Sequence, residues 1–131
     1  MFEFLEGRQE WSACLMWARK AEEAYDQDYN TKSVKCLHFA AVYAMHNFLN
    51  RYLLPYDDRN TLLVLLQETN GRDYLPDQMY SNLLYIAILG DIALRKKRSI
   101  EGYEASKCID RLENFLNWLL QAEMLKLDAP L

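Results

Sequence analysis

The sequence predicts an all-α protein, an antiparallel bundle of four to five helices. Apolar residues recur three or four positions apart along most of the chain, and no stretch of two-residue alternation persists. Four Gly and three Pro among 131 residues leave few helix breakers. Hydrophobic residues make up 51 % and charged residues 26 %, which is typical of a globular core. We therefore expect one domain, residues 1–131, with about 70 % helix or more and no sheet.

The first two helices are expected over residues 10–25 and 31–54. Helix 1 carries one apolar stripe and leads into an acidic turn at residues 26–30. Helix 2 is apolar on most sides, which predicts a central helix and the most buried one. Pro55 ends helix 2, since the residue before a proline is pushed away from helical angles.

Three further helices are expected over residues 59–68, 76–97 and 100–125, with a frayed tail at 128–131. Gly90 lies inside helix 4 and lowers helix propensity by about 1 kcal/mol against Ala, so we expect a close helix crossing there. Helix 5 has the cleanest periodicity. Three polar residues around the start of helix 3 are candidate N-caps: Asp57, Asp58 and Asn60.

Charge and hydropathy restrict the class of partner. The net charge of -4 argues against broad binding to a nucleic-acid duplex, which requires a basic surface. Glu3 and Glu6 lie where a signal peptide would be basic. The longest uncharged apolar run, Leu83 to Gly90, is far shorter than a membrane span. We expect a cytoplasmic protein with no membrane contact.

Cysteine and histidine spacing predicts no metal or cofactor. Cys14, Cys36 and Cys108 are odd in number and far apart, so we expect buried, reduced thiols. His38 and His46 are eight residues apart on one helix, roughly 12 Å along its axis, which is too far for one ion. Neither has an acidic or Cys partner three or four residues on, so both are expected to be structural.

The most informative stretch is a run of four cations in this acidic chain: Arg95, Lys96, Lys97 and Arg98. It falls between helices 4 and 5, where the helix dipole favours positive charge. With Tyr103 it forms a candidate site for an anionic group or a partner, because Arg offers a planar fork for phosphate. The alternative is a solvated basic turn. We call residues 95–103 the basic junction.

Three segments carry a family resemblance. Residues 17–21 read Trp-Ala-Arg-Lys-Ala, residues 37–49 form an alanine- and aromatic-rich helix, and residues 98–103 place Arg98 five positions before Tyr103. In this layout the chain resembles the HEPN superfamily of small helical bundles. Members often carry an Arg, four to six residues and then a His at this junction.

The resemblance implies a bundle that dimerises and brings two such motifs together. In ribonuclease members the Arg and His act on RNA phosphates, whereas Tyr103 occupies the His position here. A Tyr with a pKa near 10 is a poor general base at neutral pH. The altered motif fits the non-catalytic members, which are partners of nucleotidyltransferases or of other proteins.

Three functions therefore compete. The first is a non-catalytic HEPN-like binding module, in a toxin–antitoxin or nucleotidyltransferase pair. The second is a ribonuclease with a relaxed motif, and the third is a helical phage or host-defence protein that blocks a partner. We expect a homodimer, a protein partner and no cofactor, with RNA or a nucleotide as a candidate ligand of the basic junction. Whether the protein is an enzyme stays open, with a non-enzymatic role favoured.

Overall fold

The computed structural model describes the backbone of residues 1–128 and the side chains of residues 1–122. The chain is 77 % helical, and no strand occurs in the described part. The all-α prediction is confirmed. The five α-helices of residues 1–128 are α1 (Ser12–Asp26), α2 (Asn30–Arg51), α3 (Leu62–Glu68), α4 (Asp77–Leu94) and α5 (Gly102–Asp128).

Helix α2 lies at the centre of the bundle. It packs against α1, α4, α5 and the short α3, and 13 of its 22 residues are buried. Among helices α1 to α4 it is the most buried, as its all-round apolar pattern predicts. Helices α4 and α5 pack against each other and close the bundle.

The predicted close crossing at Gly90 is present, and it joins α4 to α2. A Cβ at Gly90 would lie 2.6 Å from His38 Cδ2 and 3.0 Å from His38 Cβ. Real Cβ atoms do not approach that closely, so only glycine allows the His38 ring to lie against α4. The packing of His38 against α4 thus explains why a residue of low helix propensity lies in the middle of the helix.

The N-terminal segment contributes to the core. The predicted apolar stripe of helix 1 included Trp11, but periodicity did not indicate the burial of Phe2 and Leu5, and α1 begins at Ser12, two residues later than predicted. Two short 3₁₀ helices, Glu3–Leu5 and Gln9–Trp11, precede α1. The side chains of Phe2, Leu5 and Trp11 are buried. Each turn is too short for a repeat to appear in the sequence.

Three helices end in the same motif. After α1, α2 and α4 the chain enters the left-handed region at Asp28, Leu53 and Lys96, with φ of 64°, 54° and 54°. The next amide N–H donates five residues back, as in Lys97 N to Ile92 O at 3.1 Å. This pattern is a Schellman motif. It ends α2 at Arg51 and α4 at Leu94, so our predicted ends at 54 and 97 were three residues too long.

Helix α3 begins later than predicted. Its N-cap is Thr61, whose hydroxyl accepts from Val64 N at 3.4 Å, and none of the three predicted caps takes this role. Asp57 instead accepts from the backbone and guanidinium of Arg59. Inside the bundle, the His38 Nε2 atom accepts from Leu62 N at 3.1 Å. A histidine of α2 therefore satisfies the first amide of α3.

Two smaller boundaries also differ. Pro76 is the N-cap of α4 and not its first residue, and α5 begins at Gly102 and continues through Asp128, past the predicted end. The rest of the predicted frayed tail, residues 129–131, lies outside the described residues. No helix in the described part is both long and apolar enough to cross a membrane.

Candidate functional site

At the start of the basic junction, two of the four cations share one carboxylate of their own chain. Arg95 Nε lies 2.9 Å from Asp91 Oδ1, and Lys97 Nζ lies 3.3 Å from Asp91 Oδ2. Asp91 is only 25 % exposed, whereas both cations extend into solvent. The last turn of α4 thus carries an acid that partly neutralises the cluster following it.

Arg98 is held by a second carboxylate, that of Glu104. Its Nη1 and Nη2 atoms donate to Glu104 Oε1 and Oε2 at 2.9 and 2.8 Å, and Nη1 also donates to Ser99 O at 3.0 Å. Glu104 is 7 % exposed, so the guanidinium covers a nearly buried acid. The paired hydrogen bonds from Arg98 hold the pKa of the Glu104 carboxyl below its usual range.

Glu104 also begins helix α5. Its Oε1 atom accepts from Glu101 N at 3.0 Å, and Glu104 is the third residue of the helix. An acid at this position that reaches back to the N-cap amide forms half of a capping box. The sequence spacing is enough to indicate this cap, because Glu104 follows the N-cap residue Glu101 by three positions. Glu104 was not among the predicted site residues.

The five predicted site residues therefore do not form one cluster. Arg95 and Lys97 meet at Asp91, and Arg98 turns to Glu104. Lys96 takes the left-handed position of the Schellman motif and has no ion pair within the described part of the chain. Tyr103 is 73 % exposed, and no hydrogen bond joins it to Arg98 in residues 1–122. Binding of an anion at this cluster stays a prediction.

A shallow cleft of about 570 Å³ lies beside the junction. The turn between α1 and α2 forms one wall, and the junction backbone forms the other. Ile100 N donates to Thr31 Oγ1 at 3.1 Å and ties the two walls together. Asp28 and Lys32 bring one charge of each sign, so the cleft has no strong preference for anions. Its lining residues are Asp28, Tyr29, Asn30, Thr31, Lys32, Ser99 and Ile100.

Both histidines line a different pocket, of about 450 Å³, between α2, the loop before α3 and the end of α4. His46 stacks on Tyr56 with ring centroids 4.6 Å apart. His38 is 2 % exposed, and its Nε2 atom is occupied by the Leu62 amide. No residue lines both this pocket and the junction cleft. Folding does not bring a histidine into the cleft beside Arg98.

The electrostatics of these histidines favour the neutral form. Burial lowers the pKa of His38 to about 4 and also lowers the pKa of His46. Because His38 Nε2 accepts a hydrogen bond, its proton resides on Nδ1, and that atom has no partner among the described residues. His38 acts as a structural acceptor, as the missing acidic partners predict.

The three thiols are free and buried, as predicted. Burial raises the pKa of Cys14 and of Cys108 to about 12, so neither is a nucleophile at neutral pH. In the part of the chain that the structure describes, no group of three or more His, Cys, Asp or Glu side chains could hold a metal ion.

Comparison of this chain with protein-family models, with curated proteins and with solved structures gave no match. The likeness to the HEPN superfamily therefore rests on the sequence features alone.

Proposed function

We propose that this protein is a non-catalytic, HEPN-like binding module that acts by engaging a protein partner, as a homodimer, in the manner of one half of a toxin–antitoxin or nucleotidyltransferase pair. The observation that carries the proposal is the paired hydrogen bond between Arg98 and Glu104. Arg98 is the one residue of the ribonuclease motif that this sequence retains, and its guanidinium is bound to Glu104.

The geometry explains why this pair argues against phosphate chemistry. A guanidinium binds phosphate through the same fork of N–H groups that Arg98 presents to Glu104. Releasing that fork would leave the nearly buried Glu104 carboxylate with the Glu101 amide alone. A phosphate must therefore compete with an internal carboxylate for Arg98.

The groups suited to proton transfer are also engaged elsewhere. His38 accepts the Leu62 amide deep in the bundle, and His46 is stacked on Tyr56 in the same pocket. Tyr103 is exposed within the junction, and no hydrogen bond joins it to Arg98 in residues 1–122. These positions support binding over catalysis.

The experiment measures cleavage of a fluorescent single-stranded RNA by the wild type, Arg98→Ala and Tyr103→His. We expect no cleavage above buffer from any of the three, because Arg98 stays bound to Glu104 and no base lies beside it. Arg8→Ala is the matched control, since Arg8 is an exposed arginine outside the junction. Robust cleavage by the wild type that Arg98→Ala abolishes and Arg8→Ala keeps would make the protein a ribonuclease.

The partner proposal has its own test. Affinity capture from the source cells, with and without RNase treatment, separates a protein partner from an RNA ligand. We expect a protein that remains bound after RNase. Loss of all captured material on RNase treatment would favour RNA as the direct ligand of the basic junction.

A further inference from the structure

Helix α4 presents an unusual outer face. Its buried side packs on α2 and α5, and its opposite side carries a row of residues spaced three or four apart. All of them are exposed or half-buried, and Ile92 also packs against the edge of the core. This outer stripe consists of Asp77, Ser81, Leu84, Ile88, Ile92 and Arg95.

The centre of the outer stripe is apolar. Ile88 is 48 % exposed, and Leu84, one turn earlier, is half-buried. No charged residue lies between Asp77 and Asp91, so Ser81, Leu84 and Ile88 of the stripe have no charged neighbour on α4 over three turns. An ordinary surface helix carries charged residues on this side.

The charges of this region are separated along the helix. Asp73 and Asp77 are exposed at the beginning of α4, and the cations Arg95, Lys96 and Lys97 follow its end. Asp77 has no ion pair within residues 1–122. An 18-residue helix is about 27 Å long. Arg72 is exposed next to Asp73, and Asp91 pairs with Arg95 and Lys97, so each end also carries one charge of the opposite sign. The net charge is still negative where α4 begins and positive where it ends, with an apolar middle.

Such a pattern is complementary to itself when reversed. Asp77 lies nine residues before position 86, and Arg95 lies nine residues after it. Leu84 and Ile88 lie two residues before and two residues after the same position. Pairing two copies in parallel would place like charges together at both ends. Pairing them antiparallel places opposite charges together and apolar residues in the centre.

We propose that the outer stripe of α4 binds α4 of a second copy of this chain, antiparallel, across a two-fold axis that passes between Leu84 and Ile88. Leu84 then contacts Ile88 of the partner subunit, and Asp77 faces Arg95 of the partner subunit. Each contact occurs twice, as a two-fold axis requires. This inference rests on the proposed homodimer and assigns its surface.

The flank of α4 adds area to this interface. Tyr85 lies beside the stripe, and α5 places Lys107 Nζ 5.1 Å and Arg111 Cζ 4.6 Å from its ring centroid. A stable interface buries about 800 Å² on each partner, more than one helix face supplies. Tyr85, Lys107 and Arg111 form a partly apolar cluster that adjoins the stripe. This cluster extends the contact surface.

The arrangement differs from the one that the HEPN resemblance implies. With the axis at position 86, the two Arg95 residues lie about 27 Å apart along the helix direction, at 1.5 Å per residue. The two basic junctions are then held at opposite ends of the dimer and do not form one composite site. The cations at each end face carboxylates of the other copy.

The first experiment measures sedimentation equilibrium of the wild type, Ile88→Lys and Leu53→Lys. Leu53 is 90 % exposed after α2 and off the stripe, so it is the matched control for an added lysine. We expect a wild-type dimer, an increase in Kd of at least about 100-fold for Ile88→Lys, and no change for Leu53→Lys. Far-ultraviolet circular dichroism confirms that each variant is folded.

The second experiment reverses the end charges and tests the antiparallel direction. Asp77→Arg and Arg95→Asp should each weaken the dimer by about 5-fold or more, and the double variant should return toward the wild-type Kd. The α4 interface is overturned if Ile88→Lys leaves the dimer intact. It is also overturned if the two single charge variants weaken the dimer and the double variant does not restore it. In both cases the proposed homodimer stands. A monomer at every concentration overturns both. The RNA-cleavage experiment tests the non-catalytic proposal independently of these dimer measurements.

Discussion

The Arg98 side chain links two helices through one acid. Glu104 accepts from the guanidinium and from the N-cap amide of α5, so one carboxylate both starts a helix and fixes the turn before it. The paired, charge-assisted hydrogen bonds from Arg98 stabilise the ionised Glu104 carboxylate, which keeps it available as the helix cap. At this scale the basic junction is a connection within the fold.

The buried His38 predicts a pH-dependent stability. Its pKa is about 4 in the folded protein and near 6.5 when unfolded, so between these values only the unfolded chain binds the proton. Stability should therefore fall as the pH falls, by about 2 kcal/mol between pH 7 and pH 5. Urea unfolding at the two pH values measures this.

His38→Gln serves as the control for that prediction, because Gln offers an acceptor for Leu62 N without titrating. Its stability should change less over the same pH range. Glu104 does not confuse the result, since its lowered pKa removes stability only below the ordinary carboxyl range. A wild type equally stable at pH 5 and pH 7 would contradict the account of His38.

Gly90 predicts a cost for the smallest substitution. Gly90→Ala places a Cβ 2.6 Å from the His38 ring, so we expect a loss of about 1–3 kcal/mol in unfolding free energy despite the better helix propensity of Ala. Gly102→Ala is the comparison, because its Cβ meets Asn30 at an ordinary 3.6 Å. Equal stability of the two variants would rule out the crossing as the reason for glycine.

At the scale of helices, the ends are set by backbone geometry more than by sequence signals. Asp28, Leu53 and Lys96 all adopt positive φ, a conformation usually given to glycine. The four-cation run led us to predict too late an end for α4, because lysine and arginine are good helix formers. The Schellman motif at Lys96 nevertheless ends α4 at Leu94, before the first cation of the run.

Leu53 provides the clearest test of these ends. Leu53→Gly should stabilise the protein by about 0.5–1 kcal/mol, since it removes the left-handed penalty and Leu53 is 90 % exposed. Leu53→Ala should give no such gain, because alanine keeps a Cβ. Thermal unfolding of both variants measures the difference, and a gain in the alanine variant would point to loss of the exposed apolar side chain instead.

Periodicity predicted the class of the fold and the position of all five helices. It could not predict the start of α3, because the acceptor for its first amide is His38, 24 residues earlier. Nor could it predict the burial of Phe2 and Leu5, which lie in one turn of 3₁₀ helix. Contacts between distant segments carry no local sequence signal.

The sequence shows the cluster of cations but not how their side chains are arranged. A cluster of cations is visible in a sequence, whereas the carboxylates that bind them depend on the turn. Asp91 lies four residues before Arg95, a spacing that sequence can reveal, but Glu104 reaches Arg98 only because the chain reverses between α4 and α5. Charge counts alone cannot distinguish a free cation from a paired one.

At the scale of the whole molecule, the groups with potential chemistry lie inside and the groups suited to contact lie outside. The histidines and thiols are buried, while the outer stripe of α4 and the exposed aromatic Tyr103 face solvent. The central claim is that Arg98 serves the fold and not a reaction. This claim can be separated from its alternative by measuring stability and RNA chemistry on the same variants.

The most direct measurement is a double-mutant cycle on Arg98→Ala and Glu104→Gln, followed by urea unfolding, with RNA binding and cleavage measured in parallel. We predict that each single variant is less stable than the wild type and that the double variant loses less than the sum of the two, because the residues act as a pair. RNA cleavage should be absent throughout. Additive or negligible effects on stability, together with RNA binding or cleavage that depends on Arg98, would contradict the account.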